Sequence, residues 1–321
     1  MKKYILITGA AGFIGSALIR YLNDLGYYDL FLVDTIDKEK AKNLNKKKFL
    51  ELFSKKFIFP FLKKNIKNFN AIFHLGACSD TLEKNTKYLL ENNFLYSIKL
   101  SKLAIENNVK FIYASSAATY GMGENKFNDD ELENLKPLNN YGFSKYLFDL
   151  WIKKNNFLNK VVGLKYFNVF GPNEYHKKHM ASMVFKMFDR VKNNKEVLLY
   201  KSFDPKYKDG EQKRDFIYIK DVVKLTFSFI DIFKKKYGIF NIGRGKATSW
   251  NFLAKSMFKA LNKKERIRYI EMPKKLKKQY QNYTCANMEK INLIFPNYKF
   301  TPIEDAVYDY VNNYLLDKKI W

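Results

Sequence analysis

Cysteines and long apolar runs are both scarce in this chain of 321 residues. Its two cysteines, Cys78 and Cys285, lie far apart without the close spacing of a zinc site, and two are too few for a disulfide framework. We therefore expect reduced thiols and no metal site. No run of about eighteen uncharged apolar residues occurs, and the first residues, MKKYILITGAAG, contain no small-residue cleavage site. These absences predict a cytoplasmic protein without membrane contacts.

Acidic residues are few as well. The chain has 58 Lys and Arg against 32 Asp and Glu, which gives a formal net charge of +26. Such a charge normally suggests a nucleic-acid partner or an anionic surface. Here, however, the lysines are scattered and accompanied by many Asn, Phe, Tyr and Ile, as AT-rich codons would produce. We expect no nucleic-acid partner, although the charge could attract an anionic small substrate.

What the chain does contain is a regular alternation of buried-looking strands and amphipathic helical segments. It predicts an α/β fold built on a doubly wound parallel sheet of the Rossmann type. The predicted strands are Tyr4 to Gly9, Leu30 to Asp34, Ala71 to Gly76, Lys110 to Ser116 and Val161 to Asn168. The clearest predicted helices are Phe13 to Gly26, Thr86 to Glu106 and Tyr141 to Asn155.

The alternation weakens after about Asn168, which suggests a second unit. A polar, lysine-rich loop from Lys201 to Lys213 leads to RDFIYIKDV, a helix and the strand-like GIFNIG, Gly238 to Gly243. We predict a dinucleotide-binding domain made of residues 1–167, about 214–245 and the last helix. A smaller substrate-binding α/β domain would comprise about 168–213 and 246–300.

The stretch TGAAGFIG places Gly9, Gly12 and Gly15 between a predicted strand and a predicted helix. Glycines at this spacing allow a tight turn and let backbone N–H groups approach a pyrophosphate at the positive end of the helix. Asp34, which ends the next strand about twenty residues on, would bind the adenosine ribose. The pattern predicts a dinucleotide cofactor.

Which dinucleotide binds is left open by these residues. Asp34 by the simple rule favours NAD. Yet Thr35, Lys38, Lys40 and Lys42 follow at once and could hold a 2′-phosphate, as NADP requires.

The segment YGFSK supplies a candidate acid/base pair. Tyr141 and Lys145 lie four residues apart on a predicted helix and therefore point to the same face. An ammonium beside a phenol favours the phenolate, so we expect Lys145 to lower the pKa of Tyr141. Ser116, at the carboxyl end of a predicted strand, could hydrogen-bond the reacting hydroxyl or carbonyl.

Two of the three histidines, His176 and His179, flank Lys177 and Lys178 in the stretch FGPNEYHKKHMAS. A metal site, a phosphate clamp, a nucleic-acid contact and a catalytic base all use such residues. No cysteine or acidic cluster lies beside them to complete a metal site. The third histidine, His74, follows an apolar strand, and we expect it to be a packed structural residue.

Taken together, these motifs resemble those of the extended short-chain dehydrogenase/reductase family. Its members carry T-G-x-x-G-F-I-G, a serine or threonine before Y-x-x-x-K, and often R-D-F-x-Y-x-x-D-V, here Arg214 to Val222. The segments HLGACSDT, YFNVFGP and HKKHMAS are most similar to members that act on a nucleotide-linked heptose. The resemblance implies inversion at C6 of ADP-D-glycero-D-manno-heptose, for lipopolysaccharide core precursors, by transient oxidation with bound NADP, with NAD as the other possible cofactor. It also implies a homo-oligomer, which could be a pentamer.

The resemblance also implies roles for individual residues. Tyr141 and Lys177 would serve opposite faces of a transient ketone, with the pKa of Lys177 lowered by burial and by Lys178 and His176. The catalytic set would be Tyr141, Lys177, Lys145 and Ser116. The cofactor would be lined by Gly9, Gly12, Phe13, Ile14, Gly15, Asp34, Thr35, Lys40, Leu75, Gly76, Ala77, Cys78, Ser79, Asn92, Lys145, Val169 and Lys177. The nucleotide-sugar would contact Ser116, Asn168, His179, Lys186, Tyr200, Arg214 and Tyr280.

Three other functions remain compatible with the sequence. A UDP-hexose 4-epimerase or a nucleotide-sugar dehydratase would share the fold, although a dehydratase usually has acidic residues where Ala117 and Ala118 stand. A non-catalytic scaffold could instead bind RNA through the basic surface. The intact pair Tyr141 and Lys145 argues against that scaffold.

Overall fold

The computed structural model describes residues 3–233, 236–277 and 279–321. Thirteen strands occur in these residues. They are β1 (Tyr4–Thr8), β2 (Leu30–Val33), β3 (Glu51–Phe53), β4 (Phe69–His74), β5 (Lys110–Ser116), β6 (Val161–Tyr166), β7 (Asn168–Phe170), β8 (Val197–Tyr200), β9 (Lys213–Arg214), β10 (Phe216–Tyr218), β11 (Gly238–Ile242), β12 (Thr248–Ser249) and β13 (Ile267–Ile270).

Helices connect most of these strands. The α-helices are α1 (Phe13–Asp24), α2 (Lys38–Lys42), α3 (Ile58–Asn65), α4 (Thr86–Leu89), α5 (Tyr96–Glu106), α6 (Asn140–Lys154), α7 (Met183–Lys192), α8 (Ile219–Ile232), α9 (Trp250–Ala260), α10 (Lys274–Lys277), α11 (Glu289–Ile294) and α12 (Ile303–Tyr310). Shorter 3₁₀ segments are Ile66–Asn68, Ala117–Tyr120 and Tyr175–Met180, and π-helical segments are Leu90–Leu95 and Val311–Leu315. None of the helices in the described ranges is long and apolar enough to cross a membrane.

Seven strands form one parallel sheet in the order β11-β6-β5-β4-β1-β2-β3. The order reverses between β1 and β4, and that crevice is where open α/β sheets bind ligands. The predicted doubly wound parallel sheet is confirmed.

Alternating side chains of the central strands pack on both faces of the sheet. Ile5 and Ile7 of β1 belong to the core on one side, with helices α1 and α8, whereas Leu6 packs on the other side with α3, α5 and α6. All three side chains are almost fully buried. A strand buried on both faces has to be apolar throughout, which explains the continuous run YILIT.

Two predicted elements differ in detail. The predicted strand Val161 to Asn168 divides at Phe167 into β6 and β7, and β7 pairs with β10 outside the main sheet. The chain returns to the main sheet at β11, at the predicted strand Gly238 to Gly243. The predicted helix Thr86 to Glu106 contains the π-helical segment Leu90–Leu95. Such an insertion re-aims the side chains that follow, and it often marks a functional site.

The residues beyond the main sheet build a smaller layer. Strands β8 and β13 pair in parallel, and helices α7 and α9 pack against each other and against β8. Helix α12 packs on α9 and β10, so the last helix contacts this layer. The division into two domains stays a prediction.

Candidate active site

A cleft of about 920 Å³ opens at the carboxyl ends of β1, β4 and β5. All residues that the sequence assigns to the cofactor border this cleft, and so do Ser116, Tyr141, Asn168 and His179. Residues from eight separate stretches of the sequence thus meet at the reversal point of the sheet. The structure leaves four of the expected substrate residues, Lys186, Tyr200, Arg214 and Tyr280, outside the walls of the cleft.

The glycine loop has no room for larger residues. Gly9 has a φ of +67°, and a Cβ there would lie 2.6 Å from the Cα of Gly76 in the neighbouring loop. A Cβ on Gly15 would lie 2.1 Å from the carbonyl oxygen of Gly9. Gly12 caps helix α1 without a side chain. The positive end of α1 therefore faces the cleft uncovered, as a pyrophosphate site requires.

Asp34, just after β2, is tied to this loop. Its Oδ2 accepts a hydrogen bond from the backbone N–H of Ala11 at 2.8 Å, and its Oδ1 accepts one from the N–H of Thr35 at 2.7 Å. Lys40 Nζ lies 3.5 Å from Oδ1. The cleft wall next to the strand-end carboxylate therefore carries a cation.

The cleft contains a further cation, Lys55, that the sequence analysis did not identify. Lys55 borders the cleft, its Nζ donates to Oδ1 of Asn92, and it lies 4.5 Å from the ring centroid of Tyr96. Burial lowers its pKa, and Glu91 opposes that effect. Lys55 follows a strand of only three residues, so no periodic pattern could have located it beside Asn92.

The pKa of Tyr141 and the hydrogen bond of Lys145 differ from our expectation. Burial raises the pKa of Tyr141, and a hydrogen bond with Ser116 opposes that rise. The expected lowering by Lys145 is wrong for this structure, because the Lys145 ammonium donates to the carbonyl of Ala114 at 2.8 Å instead. Burial lowers the pKa of Lys145 to about 8, against the opposing charge of Asp149.

Lys177 lies in the 3₁₀ segment Tyr175–Met180, where its ammonium is 5.2 Å from the ring centroid of Phe13. Burial lowers its pKa, as expected, while Glu174 raises it and Lys186 lowers it. The expected neighbours Lys178 and His176 do not produce this shift. Lys178 is exposed and its φ of +49° breaks the segment, so the sequence neighbour is not the electrostatic neighbour.

The two histidines beside Lys177 have separate partners. Nδ1 of His176 lies 3.1 Å from Nδ2 of Asn43, and burial lowers the pKa of His176. His179 is exposed, with Nε2 3.2 Å from Oδ1 of Asp80. Among the residues that the structure describes, no three His, Cys, Asp or Glu side chains group as metal ligands would.

His74 is a structural residue, as predicted. Thr8 Oγ1 accepts from the N–H of Gly76 and can therefore donate its own hydrogen to His74 Nδ1 at 2.7 Å. Ser97 Oγ donates its own hydrogen to the carbonyl of Asn93 at 2.7 Å, so it accepts from His74 Nε2 at 2.8 Å. This order of donors fixes the neutral tautomer, and burial lowers the pKa of His74 to about 3.

An aromatic cluster around Arg214 adjoins the cleft through Trp250. The guanidinium lies 5.6 Å from the Trp250 ring and 5.0 Å from the Tyr280 ring, and Nη1 donates to the carbonyl of Lys213 at 2.9 Å. Trp250 Nε1 donates to the Tyr280 hydroxyl at 2.9 Å. Tyr200 packs edge-on against Tyr280. Burial lowers the pKa of Arg214, and none of the ion pairs within residues 3–233, 236–277 and 279–321 includes it.

The glycine cradle, the strand-end carboxylate, the half-buried Tyr141 and the buried Lys145 define a nucleotide-dependent redox enzyme on a doubly wound fold. The chain belongs to the NAD dependent epimerase/dehydratase family, which matches residues 5–243. Its cofactor is accordingly a nicotinamide dinucleotide.

Individual relatives agree with this family. The chain is 45% identical to an ADP-L-glycero-D-manno-heptose-6-epimerase from Fusobacterium nucleatum, over 97% of this chain and 98% of that protein. It is 42% identical to one from Nitratidesulfovibrio vulgaris, with 97% of each chain covered. The crystal structure of the Helicobacter pylori ADP-L-glycero-D-manno-heptose-6-epimerase superposes with a TM-score of 0.79 at 29% identity, covering 97% of this chain and 96% of that one. The predicted resemblance is confirmed.

Proposed function

We propose that the protein inverts C6 of the heptose in ADP-D-glycero-D-manno-heptose and yields the L-glycero epimer. The reaction proceeds by transient oxidation of C6 and its reduction from the other face. One observation carries this proposal: Tyr141 and Lys177, two side chains of a type that can exchange protons, both border the cleft that holds the glycine cradle. The names of the two bacterial relatives support the same substrate.

Inversion at one carbon explains why two such groups are needed. A single base beside the carbon can remove or return a proton on one face only. Tyr141 comes from helix α6, whereas Lys177 comes from a separate segment packed on Phe13. Tyr141 would exchange the hydroxyl proton of one epimer and Lys177 that of the other. Ser116, which hydrogen-bonds Tyr141, would hold the reacting oxygen.

The glycine loop and Asp34 fit a dinucleotide, and we propose NADP. When bound, the dinucleotide supplies the redox chemistry by taking two electrons and a proton from C6 and giving them back. Lys40, which lies beside Asp34 at the cleft wall, would bind the 2′-phosphate of NADP. The helix α1 terminus would bind the pyrophosphate.

The substrate's diphosphate would bind near Arg214. A guanidinium that is nearly buried between two aromatic rings, without a carboxylate partner, is suited to a bidentate phosphate contact. Lys186, whose Nζ donates to the carbonyl of His179 at 2.6 Å, would orient the Lys177 segment toward the sugar. We keep the predictions of a cytoplasmic homo-oligomer and of no nucleic-acid partner.

The direct test incubates the purified protein with ADP-D-glycero-D-manno-heptose and separates the two C6 epimers by chromatography. We expect an equilibrium mixture of both epimers without added cofactor, because a bound dinucleotide is returned to its starting state in each turnover. UDP-galactose serves as the competing substrate. Turnover of UDP-galactose with none of the ADP-heptose would assign the site to hexose 4-epimerisation instead.

A further inference from the structure

A fully buried carboxylate lies beneath the acid/base pair. Asp149 follows Tyr141 and Lys145 on helix α6 at steps of four residues, so the three share one face of the helix. Its Oδ1 accepts from the Tyr113 hydroxyl at 2.9 Å, and its Oδ2 accepts from Ser115 Oγ at 2.7 Å. Helix α6 is thus bound to strand β5 through this carboxylate.

Asp149 is also paired with a buried lysine. Lys165 Nζ, on β6, donates to Asp149 Oδ2 at 2.7 Å, and both side chains are at most 1% exposed. The same ammonium donates to Thr119 Oγ1 at 2.6 Å and lies 4.8 Å from the Tyr120 ring. A buried ion pair rarely stabilises a fold more than apolar side chains of similar size would. Stability alone therefore does not explain why this pair is present.

The location of the pair suggests what it does. Neither residue borders the cleft, yet strand β5 connects them to it. Tyr113 and Ser115 hold Asp149, and the carbonyl of Ala114 between them accepts from the Lys145 ammonium at 2.8 Å. Four consecutive residues of β5, ending at Ser116, therefore fix both the carboxylate and the acid/base pair.

The charge of Asp149 also affects the acid/base pair. Asp149 is the group that opposes the burial effect on the pKa of Lys145, and it also raises the pKa of Tyr141. The other titratable groups around Asp149 and the acid/base pair are His74 on β4, Cys78 after β4, Tyr113 on β5, Tyr120 after β5 and Lys165 on β6.

We infer that Asp149, held by Lys165, is a positioning residue for the reaction proposed above: it keeps the Lys145 ammonium charged and directed at strand β5. Asp149 acts through Lys145 and touches neither the substrate nor the cofactor. Because the inference rests on the proposed function, its test includes a measurement that needs no turnover.

The test compares the parent with the double variant Asp149→Asn, Lys165→Met. Removing both charges leaves no unpaired buried ion, so the variant should fold even where Asp149→Asn alone fails. The matched control is Asp221→Asn, which removes a buried carboxylate of helix α8 that accepts from Thr301 and does not border the cleft. Competitive trace acetylation with peptide mass mapping measures the titration midpoint of Lys145 without any substrate.

In the double variant we expect the Lys145 midpoint to fall by about one pH unit, because burial is no longer opposed. The alkaline limb of the kcat/KM profile should move to lower pH by the same amount, since the ammonium is lost earlier as pH rises. The control should lose stability without either shift. An unchanged Lys145 midpoint in the double variant would overturn the inference. A parent that labels as expected but does not turn over ADP-heptose would contradict the proposed function alone.

Discussion

Asn43 joins the glycine loop to the segment that carries Lys177. Its Nδ2 lies 3.1 Å from His176 Nδ1, donates to the carbonyl of Ala11 at 3.0 Å and donates to that of Asn173 at 3.1 Å. The side chain is only 1% exposed. One buried amide therefore fixes the distance between the cofactor cradle and a proposed proton-transfer group.

Replacing the Asn43 amide should loosen the connection between the cofactor cradle and the segment that carries Lys177. Asn43→Ala leaves buried carbonyls without a partner, which should lower the free energy of unfolding by about 1–3 kcal/mol. It should also weaken cofactor retention and lower kcat, as measured by denaturant unfolding and by assay of the released cofactor. Asn45→Ala, at an exposed position two residues on, is the control and should change stability by less than about 0.5 kcal/mol.

The variant Tyr141→Phe removes the phenolic hydroxyl and keeps the ring. Loss of a positioned acid/base group should lower the epimerisation rate by about 10²- to 10⁴-fold while the cofactor still binds. Tyr308→Phe, on an exposed tyrosine, is the control for a generic effect of the substitution. A rate within a few-fold of the parent would show that Tyr141 has been assigned the wrong role.

The variant Lys177→Met tests whether Tyr141 and Lys177 exchange protons on opposite faces of the transient ketone. The variant should bind NADP and ADP-heptose but fail at net inversion, because one face has lost its proton donor. An analogue with an aldehyde at C6 should still dismutate to acid and alcohol, since that reaction needs no inversion. The exposed neighbour Lys178→Met is the matched control. Full epimerase activity in Lys177→Met would leave the segment Tyr175–Met180 as a solvated loop.

The identity of the cofactor can be measured directly. We expect the purified protein to release NADP on denaturation, identified by its mass and absorbance. Lys40→Ala, which removes the cation beside Asp34, should lower NADP affinity more than NAD affinity. Release of NAD alone from the parent would contradict the proposed role of Lys40.

His74 predicts a specific pH dependence of stability. Its pKa is about 3 in the folded protein against an ordinary value of 6.5, so the unfolded chain binds the extra proton first. The stabilising effect is complete above pH 6.5 and is lost as pH falls toward 3, with a slope of at most about 1.4 kcal/mol per pH unit. His74→Gln should remove this slope in denaturant titrations, whereas Ser97→Ala should lower stability and keep the slope.

The sequence predicts those parts of the fold that depend on a local pattern. Continuous apolar strands and the glycine loop followed by helix α1 are such patterns, and the structure has them within a few residues. Two other elements could not be predicted in this way. Strand β3 has only three residues. The π-helical segment Leu90–Leu95 depends on tertiary packing around Asn93, which hydrogen-bonds Cys78 and Ser144. No window of sequence records such distant partners.

The candidate site likewise contains residues that the sequence predicts and contacts that it does not. Tyr141, Lys145 and Lys177 were found because motifs contain them. Their partners were not found. Ala114 and Lys186 meet these side chains only through the fold, whereas Asp149 lies one helical turn after Lys145 and helical spacing could have indicated it. Sequence neighbours such as Lys178 were the wrong guide, because that side chain is exposed and does not contribute to the pKa shift of Lys177.

The strand order also determines the sequence in which the site can be assembled during synthesis. Strands β1 to β6 and the glycine loop come from the first 166 residues, but β11 pairs with β6 only after another 72 residues have been added. Long-range parallel pairing is slow because loop-closure entropy has to be overcome first. The dinucleotide cradle can therefore form on a nascent chain whose sheet still has an open edge at β6. Until β11 covers it, that edge can pair wrongly with another chain.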